Sequence, residues 1–492
     1  MTVDIDEIYN TCLAAREGHA ITGTTVLNFA KDPFKIWCDR NAPEDARDPP
    51  SEYLELLMEQ GNQHEEKTVA EAYPEAEEVE YTTREEGLRI ALESMRDGVV
   101  AMHNVPIFHL PEGMMGIADI LERIDTQPSV FGGYHYIIKE IKLAKNIRNH
   151  HRLQAAFYNR ILGKIQRYTP DYYILVNRDR EETLFSYDEA EVLEVLNDIR
   201  EIFDGKEVSP TYGSCDWPWE TYCNQEAIRR RDISVTPGVG PSRKEKLSTA
   251  GITSVSDLAT TKTSDLAGIR GIGERTASRL IDNATAIVKG AHIKLGDVVF
   301  PAVSTEIFLD LEGTGEQVGE EELVAIDYLI GVLVRQGGKE EYIPFLARTL
   351  DGEGKMFQDF LEWLARQHDY VIYHWYHYEK THLRRLAERH GMPDHMHDRL
   401  FGRLRDLYKD AVSCFAFPTD GQGLKPIASY MGFSWRDENL DAMASMAHFF
   451  QYLQDPEDNR HKLKKVLEYN EDDCRATRVV RDWIELQNRE SN

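Results

Sequence analysis

The spacing of apolar and polar positions changes character twice along the chain. Up to about residue 230, stretches with helical spacing are mixed with a few strand-like apolar runs. From 231 to 292 short helical segments are punctuated by glycine. From 300 an apolar strand opens a segment that closes in helices. The turn-rich GDVVFPAVSTE (296–306) reads as a linker, and an earlier boundary falls near Arg229–Asp232. The pattern predicts a multidomain α/β chain with domains at 1–230, 231–295 and 300–492, the middle one all-α.

Within this frame the pattern brings particular side chains together. YHYIIKEIKLAK (134–145) predicts a strand on which Glu140 and Lys142 share a face while Ile141 packs on the other. A second strand over 115–122, joined to it as a hairpin, brings Asp119 near Glu140. GNQHEEKTV (61–69) predicts a helix carrying His64. HHRLQAAFYNRIL (150–162) predicts a helix with Gln154 and Tyr158 on one face. In the last segment, TEIFLDLEGTG (305–315) predicts a strand presenting Asp310 and Glu312 together. A strand over 369–373 leads into a helix with Glu379, and KVLEYNEDDCRATRVVRDWI predicts a helix with Tyr469 and Asp473 on one face.

Composition narrows the class. The 492 residues are 41% apolar and 29% charged, which excludes a disordered polymer. No stretch approaches the ~20 apolar residues a bilayer span requires. The acidic start MTVDIDEIYN lacks signal-peptide features, so a cytoplasmic protein without a membrane partner is expected. Six cysteines exclude a disulfide scaffold. The net charge of −28 argues against a general nucleic-acid coat, because phosphates repel an acidic surface. A dispersed acidic excess also occurs in proteins of high-salt cytoplasms.

Residues 231–292 depart from that balance: nine basic side chains face six acidic ones, a local +3. Here PGVG (237–240) precedes PSRKEKL, and GIRGIG (268–273) precedes ERTASRL. Glycine lets the backbone approach a ligand, and the following helix offers free N–H groups to a phosphate. Gly238, Gly240 and Lys244, with Gly271, Gly273 and Arg275, are the expected DNA contacts. The spacing resembles a tandem helix-hairpin-helix module, which grips the DNA backbone. A helical linker with ordinary C-cap glycines is the alternative, and two copies about 33 residues apart disfavour it.

Converging carboxylates suit Mg²⁺ or Mn²⁺. Such a metal activates water at a phosphodiester, and a nearby lysine stabilises developing negative charge. The ordered set His64, Asp119, Glu140-x-Lys142 and Gln154-x₃-Tyr158 resembles the PD-(D/E)XK nuclease superfamily in its RecB-type branch. The resemblance implies a restriction-endonuclease-like α/β domain. It implies His64, Asp119 and Glu140 as metal ligands, Lys142 as catalytic lysine, and Gln154 and Tyr158 as substrate-positioning groups. That branch often holds an iron–sulfur cluster on four cysteines. Here Cys38, Cys215 and Cys223 stand at matching places, and Tyr212 stands where the fourth would be. Buried thiols acting as small hydrophobes remain the alternative.

The last segment resembles the RNase H-like exonucleases of the DEDD type, in their tyrosine-bearing subclass. The resemblance implies Asp310, Glu312, Glu379 and Asp473 as ligands of two divalent ions and Tyr469 as the group that orients water. The second motif departs from the pattern, with Glu379 in place of the usual Asp and Trp375 in place of an Asn. Asp406, in RDLYKDAV, is a candidate additional acid. The basic run 462–467 is either a strand contact or a solvated helix face. In their order, the three segments resemble a prokaryotic family of RecB-like nucleases, and metal-dependent hydrolysis of DNA is the expected activity. An RNA-directed nuclease and a non-catalytic DNA-binding adaptor are the alternatives.

Overall fold

The computed structural model describes residues 3–14, 18–313, 326–438 and 440–489. The chain forms two compact units, Met1–Pro50 with Leu54–Ala227, and Ile228–Asn492 with Ser51–Tyr53.

The first unit is built on a seven-stranded mixed sheet. Its strands are β1 (Ile21–Thr22), β2 (Ala76–Glu78), β3 (Ala101–His109), β4 (Met114–Ile124), β5 (His135–Ile141), β6 (Tyr172–Val176) and β7 (Glu182–Ser186). The order is β2-β3-β4-β5-β6-β7, with β1 pairing β4 in parallel. Strands β3, β4 and β5 form an antiparallel meander. The helix Asn149–Gln166 then crosses over, and β6 lies parallel to β5. Every residue of β5 is buried, because helices cover both faces. Tyr136 and Ile138 pack with Phe157 and Ile161 of the crossover helix, whereas Ile141 packs with Val69 and Tyr73. Glu140, in phase with Tyr136 and Ile138, therefore points toward the crossover helix. The ring of Tyr158 reaches in because two neighbours lack side chains. A Cβ on Gly23 or Gly116 would lie 2.0 Å or 2.3 Å from a Tyr158 atom.

The second unit contains a helical module and a five-stranded sheet. The module includes the helices Pro241–Thr249, Val255–Thr260, Thr263–Ala267 and Glu274–Lys289. The short strands β8 (Ile293–Lys294) and β14 (Phe415–Ala416) pair antiparallel. The larger sheet has β9 (Thr305–Gly313) at its centre, between β10 (Asp327–Gln336) and β12 (Tyr370–His374). Beyond these lie β11 (Lys339–Leu346) and β13 (Leu404–Asp406), giving the order β11-β10-β9-β12-β13. A Gly337-Gly338 turn with positive φ at both positions closes the β10–β11 hairpin. One face of β9 (Ile307, Leu309, Leu311) packs with Phe357 and Phe360; the other carries Phe308, which packs with Tyr373 and Tyr469. Asp310 and Glu312 are in phase with Phe308, so the pleat turns them toward the long helix Arg460–Arg489.

Candidate functional site

The long helix meets β9 at a buried acid cluster. Asp310, Glu312 and Asp473 each offer a carboxylate oxygen, all within 4.8 Å of one another. Glu379, near the start of the helix Tyr378–His390, is 4% exposed, and its charge is among those that act on Asp310. Burial is the largest influence on Asp310 and raises its carboxyl well above the ordinary range; Asp473, Glu312 and Glu379 raise it further. Glu312 is raised by burial and by Asp473. Asp473 is pushed up by burial to about 7, against the lowering effect of a Trp435 hydrogen bond and of Lys425. Hard oxygen donors that resist ionising together fit Mg²⁺ or Mn²⁺, since a divalent cation removes both the burial penalty and the repulsion.

Neighbours fix these carboxylates. Asn470 Nδ2 donates to Asp310 Oδ2 at 2.7 Å, and Tyr342 Oη donates to Asn470 Oδ1 at 2.7 Å. Gly331, opposite Asp310 in β10, makes room for that amide: a Cβ there would lie 1.6 Å from Asn470 Oδ1. Trp435 Nε1 donates to Asp473 Oδ1 at 2.7 Å. One turn before Asp473, the Tyr469 phenol is raised far above its ordinary value by burial, then by Asp473. Lys425 Nζ sits 5.4 Å from the Tyr469 ring centre and donates to the Leu440 carbonyl at 2.6 Å. Asp406 caps the helix Leu407–Cys414 through Lys409 N and pairs with Lys409 Nζ at 3.2 Å. Trp375 is buried in the apolar core with Tyr373. In the basic run, Lys464 pairs with Glu468 and Lys465 with Asp437, as on a solvated helix face.

The first unit gathers a second set. Asp119 N donates to Glu140 Oε1 at 3.1 Å, and Asp119 Oδ2 accepts from Ile141 N at 2.7 Å. Lys142 Nζ lies 2.8 Å from Glu140 Oε2 and 3.7 Å from Asp119 Oδ2. Burial, with Asp119 alongside, pushes the Glu140 carboxyl up to about 8. Burial works against the Lys142 ammonium, yet Glu140 and Asp119 hold its pKa above the ordinary lysine range. Gln154 Nε2 reaches Tyr158 Oη at 3.5 Å, and the Tyr158 phenol is raised by burial and then by Glu140. On the helix Glu52–Ala72 it is Glu65 that feels this set: burial, then Asp119, raises its carboxyl to about 7. His64 is lowered by burial and by Arg180 and Arg178, and its Nε2 is buried without a hydrogen bond.

Cys38, Cys215 and Cys223 share a buried cluster with Phe34 and Trp219. Asp32 lies beside two of these thiols. Its carboxylate and the Cys215 and Cys223 sulfurs lie within 4.8 Å of one another, and Cys215 Sγ is 3.5 Å from Asp32 Oδ2. Of the two tryptophans nearby, Trp219 is buried and Trp217 is 37% exposed.

The helical module repeats one turn. Gly238 and Gly271 have φ of 93° and 91°, open to glycine at little cost, and Gly240 and Gly273 cap the helices that follow. The two copies differ in their cations. Lys244 pairs with Asp232 at 2.8 Å, and the Arg243 guanidinium donates to the Gly238 carbonyl. At the second turn Arg270 and Arg275 are exposed, and exposed Lys246 approaches Gly271.

Sequence reasoning passed over Asn470, Trp435, Glu65 and Asp32. Asn470 carried a usable signal, since it stands three residues before Asp473 and so shares its face. Trp435 carried none, because its partner is set by packing between distant segments.

Residues 307–485 match the family model of the RNase H superfamily, and residues 233–285 match that of the SAM-like helix-hairpin-helix tandem. No curated protein matches the chain. Among the described residues, no helix is long and apolar enough to cross a membrane.

Proposed function

Starting from the RNase H superfamily domain and the helix-hairpin-helix module, we propose that this protein is a metal-dependent nuclease that hydrolyses phosphodiester bonds of DNA. The observation that carries the reading is the convergence of Asp310, Glu312 and Asp473 within 4.8 Å, the last two buried and the first partly so, with Tyr469 one helical turn away. Asp310, Glu312, Glu379 and Asp473 would hold the divalent ions. Bound there, Mg²⁺ or Mn²⁺ supplies charge neutralisation at the scissile phosphate and a more acidic water.

The protein's own groups do the rest. Tyr469, one helical turn before Asp473, would orient the attacking water by hydrogen bonding. Asn470 and Trp435 each occupy one oxygen of a ligand carboxylate and fix its direction. The second turn of the helical module, with Gly271, Gly273 and Arg275, holds the DNA backbone without reading its sequence.

The first unit supports a second active site of the PD-(D/E)XK, RecB-type kind. The meander β3–β4–β5, the crossover helix and parallel β6 are the layout that reading requires. Asp119 and Glu140 would hold a metal there, with Glu65 or His64 as the helix-borne ligand. Lys142, kept charged, would stabilise negative charge on the phosphate, and Gln154 and Tyr158 would position the strand. Cys215, Cys223 and the Asp32 carboxylate converge, with Cys38 in the same buried cluster, and were an iron–sulfur cluster bound there Asp32 would stand in for a fourth cysteine.

The test is digestion of labelled single- and double-stranded DNA and RNA with Mg²⁺ or Mn²⁺ by wild type, Lys142→Ala and Asp473→Asn. Each variant should lose one of two activities by about a hundredfold or more. A digest indifferent to both changes would refute the site assignment. Cleavage of RNA alone would reassign the substrate, and no cleavage with any metal would favour a DNA-binding adaptor.

A further inference from the structure

Just before Glu379 the chain exposes three ring-bearing residues in a row, Tyr376, His377 and Tyr378. Tyr376 is 47% exposed and Tyr378 40% exposed. Tyr376 also holds a left-handed backbone, φ 70°, which is disfavoured for a non-glycine residue and persists only where the surroundings impose it. Those surroundings are aromatic. The Tyr376 ring lies 4.7 Å from Tyr408 at 75° and 4.2 Å from His377 at 73°. Tyr408 is braced in turn by Trp375, 5.6 Å away at 77°, and by its hydroxyl on Gln422 Oε1 at 3.2 Å. Edge-on neighbours prop a ring while leaving a face uncovered.

The position of this ring matters as much as its exposure. It follows the carboxyl end of β12, three residues before an acid of the cluster. On its other side Tyr408 feels the charge of Arg279, from the helix Glu274–Lys289 of the helix-hairpin-helix module. Arg279 also donates to the Phe415 carbonyl at 2.6 Å. Tyr376 thus adjoins, through Tyr408, a helix of the module that would grip a backbone and, along the chain, an acid of the cluster.

We propose that Tyr376, propped by Tyr408, is a base-stacking platform that receives an unpaired nucleobase of a single-stranded end and so sets a preference for unpaired over duplex termini. This rests on the nuclease reading above and names its substrate class. An aromatic ring stacks on any base, so the contact selects strandedness and not sequence.

The test measures binding in EDTA, where nothing is cut, using fluorescein-labelled oligothymidylate, the matched oligouridylate and a blunt DNA duplex. Wild type is compared with Tyr376→Ala and Tyr376→Phe, with thermal unfolding checking that each variant is folded. Tyr376→Ala should weaken single-strand binding about tenfold, one base-stack's worth, and Tyr376→Phe should restore it. The loss should persist at raised salt, because stacking releases no counterions. Blunt-duplex binding should stay at the wild-type level. Equal weakening on duplex, or no weakening on either single strand, would overturn the proposal. Oligothymidylate against oligouridylate tells which sugar the end carries. The readout is independent of cleavage. A protein that cuts nothing but loses single-strand binding in Tyr376→Ala keeps the platform and discards the nuclease reading. A protein that cuts normally and binds indifferently does the reverse.

Discussion

Asn470 spends both ends of a buried amide on the acid cluster, donating to Asp310 and accepting from Tyr342. Asn470→Ala leaves two buried polar groups without this partner, which should cost about 1–3 kcal/mol in urea unfolding, with a drop in metal-dependent cleavage. Gly331→Ala should reproduce both effects, since the new methyl occupies the place of the amide oxygen. Unchanged cleavage in both variants would show that Asp310 needs no such support. At this scale the sequence was informative wherever regular geometry sets the neighbour. Asp310 and Glu312 follow from the strand period, and Tyr469 and Asp473 from the helix period. It was silent where folding chooses the partner. Lys244 reads as a DNA contact until Asp232 is seen beside it, and nothing in the sequence points to Trp435, whose indole N–H is found on Asp473.

Elements were legible to within a few residues. The strands expected over 115–122 and 369–373 are Met114–Ile124 and Tyr370–His374. Which strands pair was less visible, because pairing joins segments distant in sequence. Nothing local announced that β1 would lie along β4, or that β12 would lie beside β9. One such long-range tie is open to measurement. Glu112, in the turn between β3 and β4, pairs with Arg160 at 2.7 Å and Lys164 at 2.9 Å on the crossover helix. Burial opposes ionisation of Glu112, but the two cations prevail and lower its carboxyl from 4.5 to about 2. A depressed folded-state pKa means the stabilisation is complete above about 4.5 and is lost as pH falls toward 2. Glu112→Gln should therefore be less stable by about 2 kcal/mol at pH 7, with the gap to wild type closing on acidification. A gap constant with pH would place the effect in packing.

Over the whole chain, charge is the informative quantity. A molecule at −28 repels nucleic acid except where the helical module reverses the sign. Duplex affinity should therefore hang on few cations. Arg275→Ala, at the exposed second turn, should reduce the slope of log affinity against log salt by about 1. Lys244→Ala, whose ammonium is engaged by Asp232, should change that slope far less. Equal slopes for both variants would mean the two turns share the backbone evenly. One tie in this unit carries a wider consequence. Strands β8 and β14 pair, Arg279 reaches the Phe415 carbonyl, and Phe415 shares a core with Phe308 of β9, so the helical module is stitched to the core beneath the strand that carries two of the acids. A grip held this way behaves as a ruler and not as a leash. For the nuclease proposed above, the length of strand between a clasped phosphate and the severed bond would be a constant of the fold.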